Sequence, residues 1–436
     1  MKQLFLVFVF LVSYFVHEMD ISAQIASGFH SPSFSAVGLA QANAFVARAD
    51  DASAIIFNPA GLTQLKRPQI STGASFVIPK VEYHGNGIHE DMGTGINTIP
   101  NLFFACPLIE DKLATGIGIS APYGLRGNWE EDGFSRYVVT DFNLAILNVN
   151  PTITFKPFSF LSIGAGLDYY YAKSDVEKRV NVGLLNASLT GTPQDTTTPD
   201  GFQDLDDVHG DGVGYNIGIL YNITPQHTIG ISFRSKADID TKGSLKFSNL
   251  SGATAEAFGG ESFSTKARTT LTLPEILILG YAYKHRERWS VEADVQWTNW
   301  TRFDVLRFDF APSNPILDGG NEDVRNWHNT LGFALGGEYL LNETIKLRGG
   351  YAFHESPVPS DTFEPSIPMS SRHAVFTGFE YRWGGKMNKW IDFASGIAVY
   401  ENRRITNSVG DELQGSIDGR YDSIDYLMAI NFNYQF

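Results

Sequence analysis

Cysteine is almost absent from this 436-residue chain, which contains only Cys106. A single cysteine cannot form a disulfide within the chain, so the small disulfide-stapled folds of exported proteins are excluded, and we interpret Cys106 as a packing residue. Basic residues are also few, because 33 lysines and arginines stand against 48 aspartates and glutamates and give a net charge of -15. This balance argues against a nucleic-acid partner, which requires a basic surface.

Long apolar runs are missing as well. The uncharged and mostly apolar stretch near the start of the chain, residues 4–16, is too short to span a bilayer as a helix. Together with the polar stretch that follows it and ends in Ile21-Ser22-Ala23, it predicts a secretory signal peptide, residues 1–23, cleaved after Ala23. An N-terminal membrane anchor is the alternative that its length disfavours. No later stretch has the apolar length of a spanning helix, so the mature chain has no helical way to enter a membrane.

Glycine and aromatic residues are abundant, at 42 glycines and 13% aromatic side chains, and they suit strands and turns. Period-two alternation recurs and is clearest in "WSVEADVQWT", residues 289–298, where one face is apolar with Trp at both ends. In a soluble sandwich the apolar face would be the core, but aromatic residues at strand ends are typical of the girdles of a transmembrane barrel. The same alternation occurs near residues 161–171, 229–233, 345–353 and 379–383.

Loop lengths distinguish the two folds. Tight connections alternate strictly with long ones, which gives six turns, seven long loops and therefore fourteen strands. The predicted fold is all-β, a 14-stranded antiparallel transmembrane β-barrel in the bacterial outer membrane, surrounded by membrane lipid and lipopolysaccharide, with short periplasmic turns and long outer loops. The turns lie near residues 109–111, 157–158, 224–226, 285–287, 342–344 and 384–388, and the long loops near residues 85–96, 123–137, 175–211, 243–266, 303–326, 355–371 and 402–420.

The last segment, "YLMAINFNYQF", alternates in the same way and ends on Phe436, in register with its apolar face. This ending resembles the terminal signal through which bacterial outer-membrane proteins are recognised by the barrel-assembly machinery. The alternative is the final strand of a soluble sheet, which leaves the sorted loops unexplained.

The residues before the first strand show no clean alternation and contain helix-start signals instead. Asp50 and Asp51 can cap a short helix over residues 52–57. Asn58 followed by Pro59 has the pattern of an N-cap and a first helical position. Short helices joined at a fixed turn predict a small plug, which we call the hatch.

The segment "SGFHSPSFSAVGLAQANAFVARADDASAIIFNPAGL" resembles the N-terminal hatch of the FadL/TodX family of outer-membrane transporters for long-chain fatty acids and aromatic hydrocarbons, including its Asn-Pro-Ala motif. Other segments are similar to family segments in the family's order: "APYGL", "RSK", "LPE", "DVQWTNWTRF" and "SPVP". With the strand count, the resemblance divides the mature chain into a hatch over residues 24–66 and a barrel over residues 67–436.

The resemblance implies a transporter that is not an enzyme and needs no cofactor. It implies that a hydrophobic substrate, a long-chain fatty acid or alternatively an aromatic hydrocarbon, is captured among the outer loops and enters an inner pocket above the hatch. The substrate then leaves sideways through a gap beside a kinked third strand, which keeps an apolar molecule out of water. The residues expected to form and gate the hatch are Phe29, Asn58, Pro59 and Ala60.

Pro122 in "KLATGIGISAPYG" cannot donate to a strand ladder and is tolerated only at an edge or a break. We expect Pro122, Tyr123 and Gly124 to mark the disrupted end of the wall and the lateral opening. An ordinary strand terminus is the equally simple alternative.

Charged residues on inward faces should line the barrel and pair with one another, because buried charges need partners. A carboxylate ligand requires one cation that lacks such a partner. By its position after the fifth strand, Lys173 in "YYYAKSDVEK" is similar to a basic residue that contacts the ligand in family members. The inward charges are Glu292, Asp294, Lys346, Arg348, Glu380 and Arg382.

Other function classes have weaker signals. The acidic segment "DGFQDLDDVHGDG", residues 200–212, has partly calcium-like spacing but lacks the closing Glu of an EF-hand, so we predict a solvated outer loop and not a specific metal site. Whether divalent ions bridge this loop to lipopolysaccharide is left open by the sequence. His354 and Glu355 are adjacent in a strand and face opposite sides, which disfavours an outer-membrane hydrolase. A general diffusion porin needs an open channel, so the predicted plug disfavours that class.

Overall fold

The computed structural model describes residues 28–31, 34–93, 95–286, 288–312, 314–385, 387–406 and 416–436. The predicted signal peptide, residues 1–23, lies outside this part of the chain. Strands β1 to β14 form a closed antiparallel barrel in which β1 pairs with β14 and Gln69 lies opposite Gln435. The predicted 14-stranded barrel is therefore confirmed.

Most strands are continuous, but β7 and β8 each consist of two segments. The strands are β1 Gln69–Gly85, β2 Asn97–Ile109, β3 Leu113–Asn128, β4 Asp141–Phe158, β5 Leu161–Val180, β6 Gly201–Asn222, β7 His227–Arg234 and Ala237–Ser248, β8 Phe263–Leu273 and Ile276–His285, β9 Trp289–Thr298, β10 Thr330–Leu340, β11 Ile345–His354, β12 Arg372–Trp383, β13 Lys389–Tyr400 and β14 Gly419–Gln435.

The helices are short, and none of those that the structure describes forms part of the barrel wall. None of those in the described ranges is long and apolar enough to span a membrane. Inside the barrel are α1 Ala36–Ala40, α2 Ala54–Phe57 and a 3-10 helix Pro59–Gln64; the outer loops contain α3 Val182–Thr190, α4 Gly252–Phe258, a 3-10 helix Trp300–Arg302, α5 Pro315–Asp318 and short strands Ile88–Asp91, Val305–Arg307, Asp309–Ala311, Glu322–Val324 and Arg403–Ile405.

The alternation predicted from the sequence sorts side chains between lipid and interior. On β9, Val291 and Val295 are 43% and 42% exposed, whereas Glu292 and Asp294 between them are 1% and 5% exposed. Exposed apolar residues on the outward face are stable because that face contacts lipid in the membrane.

Strands β5 to β8 extend into the region that was predicted as long outer loops. The acidic segment 200–212 is not a loop, because it pairs with β5 and β7 and places Gly201 opposite Val180. Leu205 and Val208 of this segment line the barrel interior. The strand therefore has an apolar side to bury, which the surrounding carboxylates conceal in the sequence.

The break in β7 at Ser235 and Lys236 lies beside the break in β8 at Pro274 and Glu275. Pro274 has no N–H to donate and ends the ladder at that point. On the membrane side of the break, the outward residues of these strands are mainly apolar or aromatic, so the break marks the outer edge of the lipid-facing belt. Beyond it, the outward residues are polar or charged and include Asp238, Asp240, Lys242, Lys246, Lys266, Arg268 and Thr270.

The described hatch residues, 28–31 and 34–66, lie inside the barrel. Helix α1 packs against β12, β13 and β14, and the 3-10 helix packs against β3 to β6. Helix α2 begins at Ala54, two residues later than predicted, because Asp51 accepts a 2.8 Å hydrogen bond from the N–H of Ser53 and forms a turn instead of a cap. The hatch is therefore a packed plug with its own apolar core.

Candidate functional site

Two carboxylates of β9 attach the hatch to the wall. Glu292 and Asp294 accept four hydrogen bonds from the backbone N–H groups of residues 45–48, at N···O distances from 2.5 to 3.2 Å. Both residues were expected to pair with inward charges of the barrel, and their main partners are the hatch backbone N–H groups. Their buried charges are thereby hydrogen-bonded, and hatch N–H groups that no helix satisfies gain acceptors.

The other inward charges do pair within the wall, as predicted. Arg348 lies 2.5 Å from Asp392 and 2.6 Å from Glu380, and Lys346 lies 3.3 Å from Glu338. Glu380 also binds Arg382. Because these cations are saturated by carboxylates, they are not free to hold an anionic substrate.

Asn58 connects the hatch to the wall at the Asn-Pro-Ala motif. Its Oδ1 accepts a 3.1 Å bond from the N–H of Ala60, which is the predicted cap. Its Nδ2 donates to the carbonyl of Val46 in the hatch at 2.8 Å and to that of Ile219 on β6 at 3.1 Å. The sequence indicated the cap but gave no signal for the two other bonds.

The barrel wall has a break in hydrogen bonding between β2 and β3. Their pairing ends where Leu102 lies opposite Ile119, although both strands continue beyond that point. A register shift between Ser120 and Tyr123 kinks β3 at Pro122. The proline is therefore in a kink and not at a strand terminus, and we call the unpaired region beside it the lateral gap.

The first described residues of the hatch, Gly28 to Ser31, fill the lateral gap. The N–H of Ser31 donates to the carbonyl of Pro122 at 2.8 Å, and the N–H of Gly124 donates to the carbonyl of Phe29 at 2.9 Å. On the outer side, the loop between β1 and β2 bonds to the end of β3. The hatch thus provides partners for backbone groups that β2 leaves unpaired.

Phe29 is the centre of an aromatic cluster at the inner side of the gap. Its ring lies 5.0 Å from Trp300, 5.1 Å from Phe303, 5.9 Å from Trp327 and 5.9 Å from Tyr123, measured between ring centres. The side chain is 1% exposed. It separates the lateral gap from the space above the hatch.

The residues on either side of Phe29 are adapted to this close packing. Gly28 has φ +58°, and a Cβ there would lie 2.5 Å from the ring of Trp327, so a larger residue does not fit. Burial, followed by the charge of Arg234, lowers the pKa of His30 to about 3, which keeps the imidazole neutral.

A cavity of about 650 Å³ lies above Phe29, within the outer part of the barrel and its loops. This volume is in the roughly 300–1,000 Å³ range of pockets for small molecules. Its lining is mainly apolar and comes from strands as well as from the loops between β3 and β4, β9 and β10, and β11 and β12, and it includes Leu125, Phe142, Leu245, Leu271, Phe308 and Phe363.

Two cations of the described residues line this cavity, and only one of them has close partners there. Arg325 binds Glu364 at 2.6 Å and also binds Asp323. Lys178 is half-buried and forms no hydrogen bond or close ion pair with any residue in the described ranges. The acidic groups that act on Lys178 at longer range are the two already bound to Arg325.

Lys173, the predicted ligand contact, faces the other way. It lies in the outward register of β5 with Leu167 and Tyr169 and is exposed, whereas Lys178 lies in the inward register with Val176. The candidate cation for binding an anionic ligand is therefore Lys178 and not Lys173. Alternation carried further along β5 would have identified it. No three metal-ligating side chains of the described residues converge on a metal site.

Comparison with known proteins agrees with this geometry. The family model described as outer membrane protein transport protein (OMPP1/FadL/TodX) matches residues 21–436. The chain belongs to this family. A long-chain fatty acid transport protein of Escherichia coli O6:H1 is 28% identical, with 94% of this chain and 95% of the relative covered.

Two solved structures show the same fold. The structure of a Pseudomonas aeruginosa FadL homologue has a TM-score of 0.84 at 20% identity and covers 94% of this chain and 100% of its own. The Pseudomonas putida toluene transporter TodX has a TM-score of 0.71 at 20% identity, with the same coverage. This FadL/TodX protein is therefore an outer-membrane transporter of hydrophobic compounds.

Proposed function

We propose that this transporter takes up long-chain fatty acids and that Lys178 binds the substrate carboxylate in the apolar cavity. The observation that carries the proposal is one cation that has no close partner among the described residues and lines a mainly apolar pocket. Withdrawing an ammonium group from water without a counter-ion is costly, and a bound carboxylate offsets that cost. The 28% identical relative, named as a long-chain fatty acid transport protein, supports the same substrate class.

The proposed route runs from the outer loops through the cavity to the lateral gap. The loops that line the cavity capture the substrate, and the cavity holds its chain above the hatch. Movement of Phe29 away from Tyr123 would connect the cavity to the lateral gap, through which the substrate enters the bilayer without crossing water. Phe29, Pro122, Tyr123 and Gly124 form the exit in this scheme.

Binding measurements on detergent-purified protein test the role of Lys178. We expect Lys178→Gln to weaken palmitate binding about 10- to 100-fold, because a hydrogen bond to a charged group contributes about 1.5 to 3 kcal/mol. Binding of methyl palmitate, which has no charge, should change little. Lys266→Gln is the matched control, since Lys266 is exposed on the outward face of the outer half of the barrel. Equal palmitate affinity in wild type and Lys178→Gln would exclude the anchor.

An aromatic hydrocarbon is the second candidate, and the four-ring cluster around Phe29 is the observation that favours it. An arene would stack on these rings but leave Lys178 unpaired. Competition between toluene and palmitate distinguishes the two substrates, because toluene affinity should not depend on Lys178. Steady ion conductance of the wild type in planar bilayers would instead indicate an open porin, and ester hydrolysis in liposomes would indicate an enzyme.

A further inference from the structure

Four basic side chains form a row on the outside of the barrel. Lys173 of β5 lies opposite His209 of β6, His209 lies opposite Lys242 of β7, and Lys242 lies opposite Arg268 of β8. We call these four residues the outward basic row. With strands about 4.8 Å apart, the row spans about 14 Å.

Like charges directly opposite each other on neighbouring strands destabilise a sheet, so the row needs counter-charges. Lys173, Lys242 and Arg268 form no hydrogen bond or ion pair through their side chains with the described residues. Asp309 lies opposite Arg268 on a short outer strand without an ion pair between them. The ring of His209 lies 3.5 Å from a carboxylate oxygen of Asp207.

Among the described residues, the acidic groups nearest to the row form no close ion pair with Lys173, Lys242 or Arg268. Asp211 and Asp240 lie opposite each other one step nearer the membrane, and Asp240 accepts a 2.8 Å bond from Thr270. Asp206, on the outer side, binds Lys246 at 2.5 Å and acts on Lys173 only at longer range. Neither arrangement places a carboxylate in contact with Lys242 or Arg268.

The row lies directly outside the lipid-facing belt. On β5, the outward residue next to Lys173 on the membrane side is Tyr171, while on β8 the polar residues Thr270 and Thr272 separate Arg268 from the belt. The distance of the row from the lipid-facing belt therefore increases from β5 to β8, because the strands of a barrel are tilted. Its lower end is at the level of lipid headgroups.

We propose that the outward basic row binds the phosphate groups of lipopolysaccharide in the outer leaflet. Phosphate is the anion available at this level of an outer membrane. Ammonium and guanidinium groups bind phosphate through charge-assisted hydrogen bonds, which are stronger than hydrogen bonds between neutral groups. A row about 14 Å long, formed by three strand spacings, suits a headgroup that carries more than one phosphate. The site is separate from the fatty-acid cavity, because its side chains are on the opposite face of the wall.

Native mass spectrometry of delipidated, refolded protein tests the proposal with defined lipopolysaccharide as the probe. We expect wild type to retain the glycolipid and the triple variant Lys173→Gln, Lys242→Gln and Arg268→Gln to bind it about 10-fold or more weakly. Chemically dephosphorylated lipopolysaccharide should bind wild type as weakly as the intact form binds the variant. The control removes three charges at the periplasmic end: Lys112→Gln, Lys156→Gln and Lys389→Gln.

Heat-modifiable migration on gels shows that both variants are folded, and their palmitate affinity should equal that of wild type. Equal lipopolysaccharide retention by the triple variant and wild type would overturn the proposal. So would loss of the glycolipid from wild type on adding EDTA, because that result would assign binding to divalent ions at Asp211 and Asp240. Retention in EDTA with loss in the triple variant supports direct contact.

Discussion

Replacing Asn58 by alanine should loosen the hatch without unfolding the barrel. The side chain is fully buried and makes three hydrogen bonds, one to the N–H of Ala60 and two to the carbonyls of Val46 and Ile219. Losing the cap costs about 0.5 to 2 kcal/mol. Each of the other two bonds contributes about 1 kcal/mol, so the hatch should lose roughly 2 to 4 kcal/mol of local stability.

Hydrogen exchange and uptake measure the two consequences separately. A local loss of 2 to 4 kcal/mol corresponds to roughly 30- to 1,000-fold faster exchange of hatch amides that open locally, while the amides of β9 to β14 keep their protection. Uptake of labelled palmitate should fall at equal surface levels, because the cavity floor is no longer held in place. Asn58→Ser should be intermediate, since serine can cap the N–H of Ala60 but is too short to reach the two carbonyls.

Asn222→Ala provides the control, because this asparagine lies at the periplasmic end of β6 and does not bond to the hatch. Wild-type exchange in the hatch of Asn58→Ala would refute the energetic reasoning. Faster exchange with a wild-type uptake rate would refute the gating role alone and leave Asn58 as a structural residue.

Three further predictions concern the exit, the cavity charge and assembly. Phe29→Ala removes a buried ring at a local cost of about 3 to 5 kcal/mol and should produce ion conductance in planar bilayers; a silent bilayer would show that Phe29 is not the seal. Burial and the charge of Glu364 raise the pKa of Asp323 to about 6, so acidification from about pH 7.5 to about 5.5 should protonate it, remove a negative charge near Lys178 and tighten binding of hexadecyl sulfonate roughly 2- to 5-fold. Asp323→Asn should abolish that pH dependence, and a dependence that persists in this variant would assign it to another group. Deleting Phe436, which is 51% exposed on the outward register of β14, should lower the amount of heat-modifiable protein in the outer membrane, and normal folded levels would contradict its role in assembly.

The barrel could be predicted from sequence because lipid imposes a strict period of two on every spanning strand. The outer halves of β5 and β6 could not be predicted as strands. One face of them contacts water and the other lines the cavity, so acidic residues such as Asp204 and Asp206 lie beside apolar ones. Those carboxylates indicated a loop. Because these residues were interpreted as a loop, β5 was predicted to end before Lys178. This lysine was therefore not recognised as facing the interior, although it shares a face with Val176.

Glycines mark, in the sequence, positions where the hatch contacts the barrel wall, although the overall composition does not show this. Glycines occur at inward positions of several strands, where most other inward residues are polar. At Gly218 a Cβ would lie 2.0 Å from Oδ1 of Asn58, and at Gly350 it would lie 2.3 Å from the backbone carbon of Gln41. These positions lack side chains because the hatch backbone occupies the space. At these two positions the glycine therefore indicates where the hatch touches the wall, and substituting alanine at Gly218 should displace the Asn-Pro-Ala turn while leaving the lipid-facing surface unchanged.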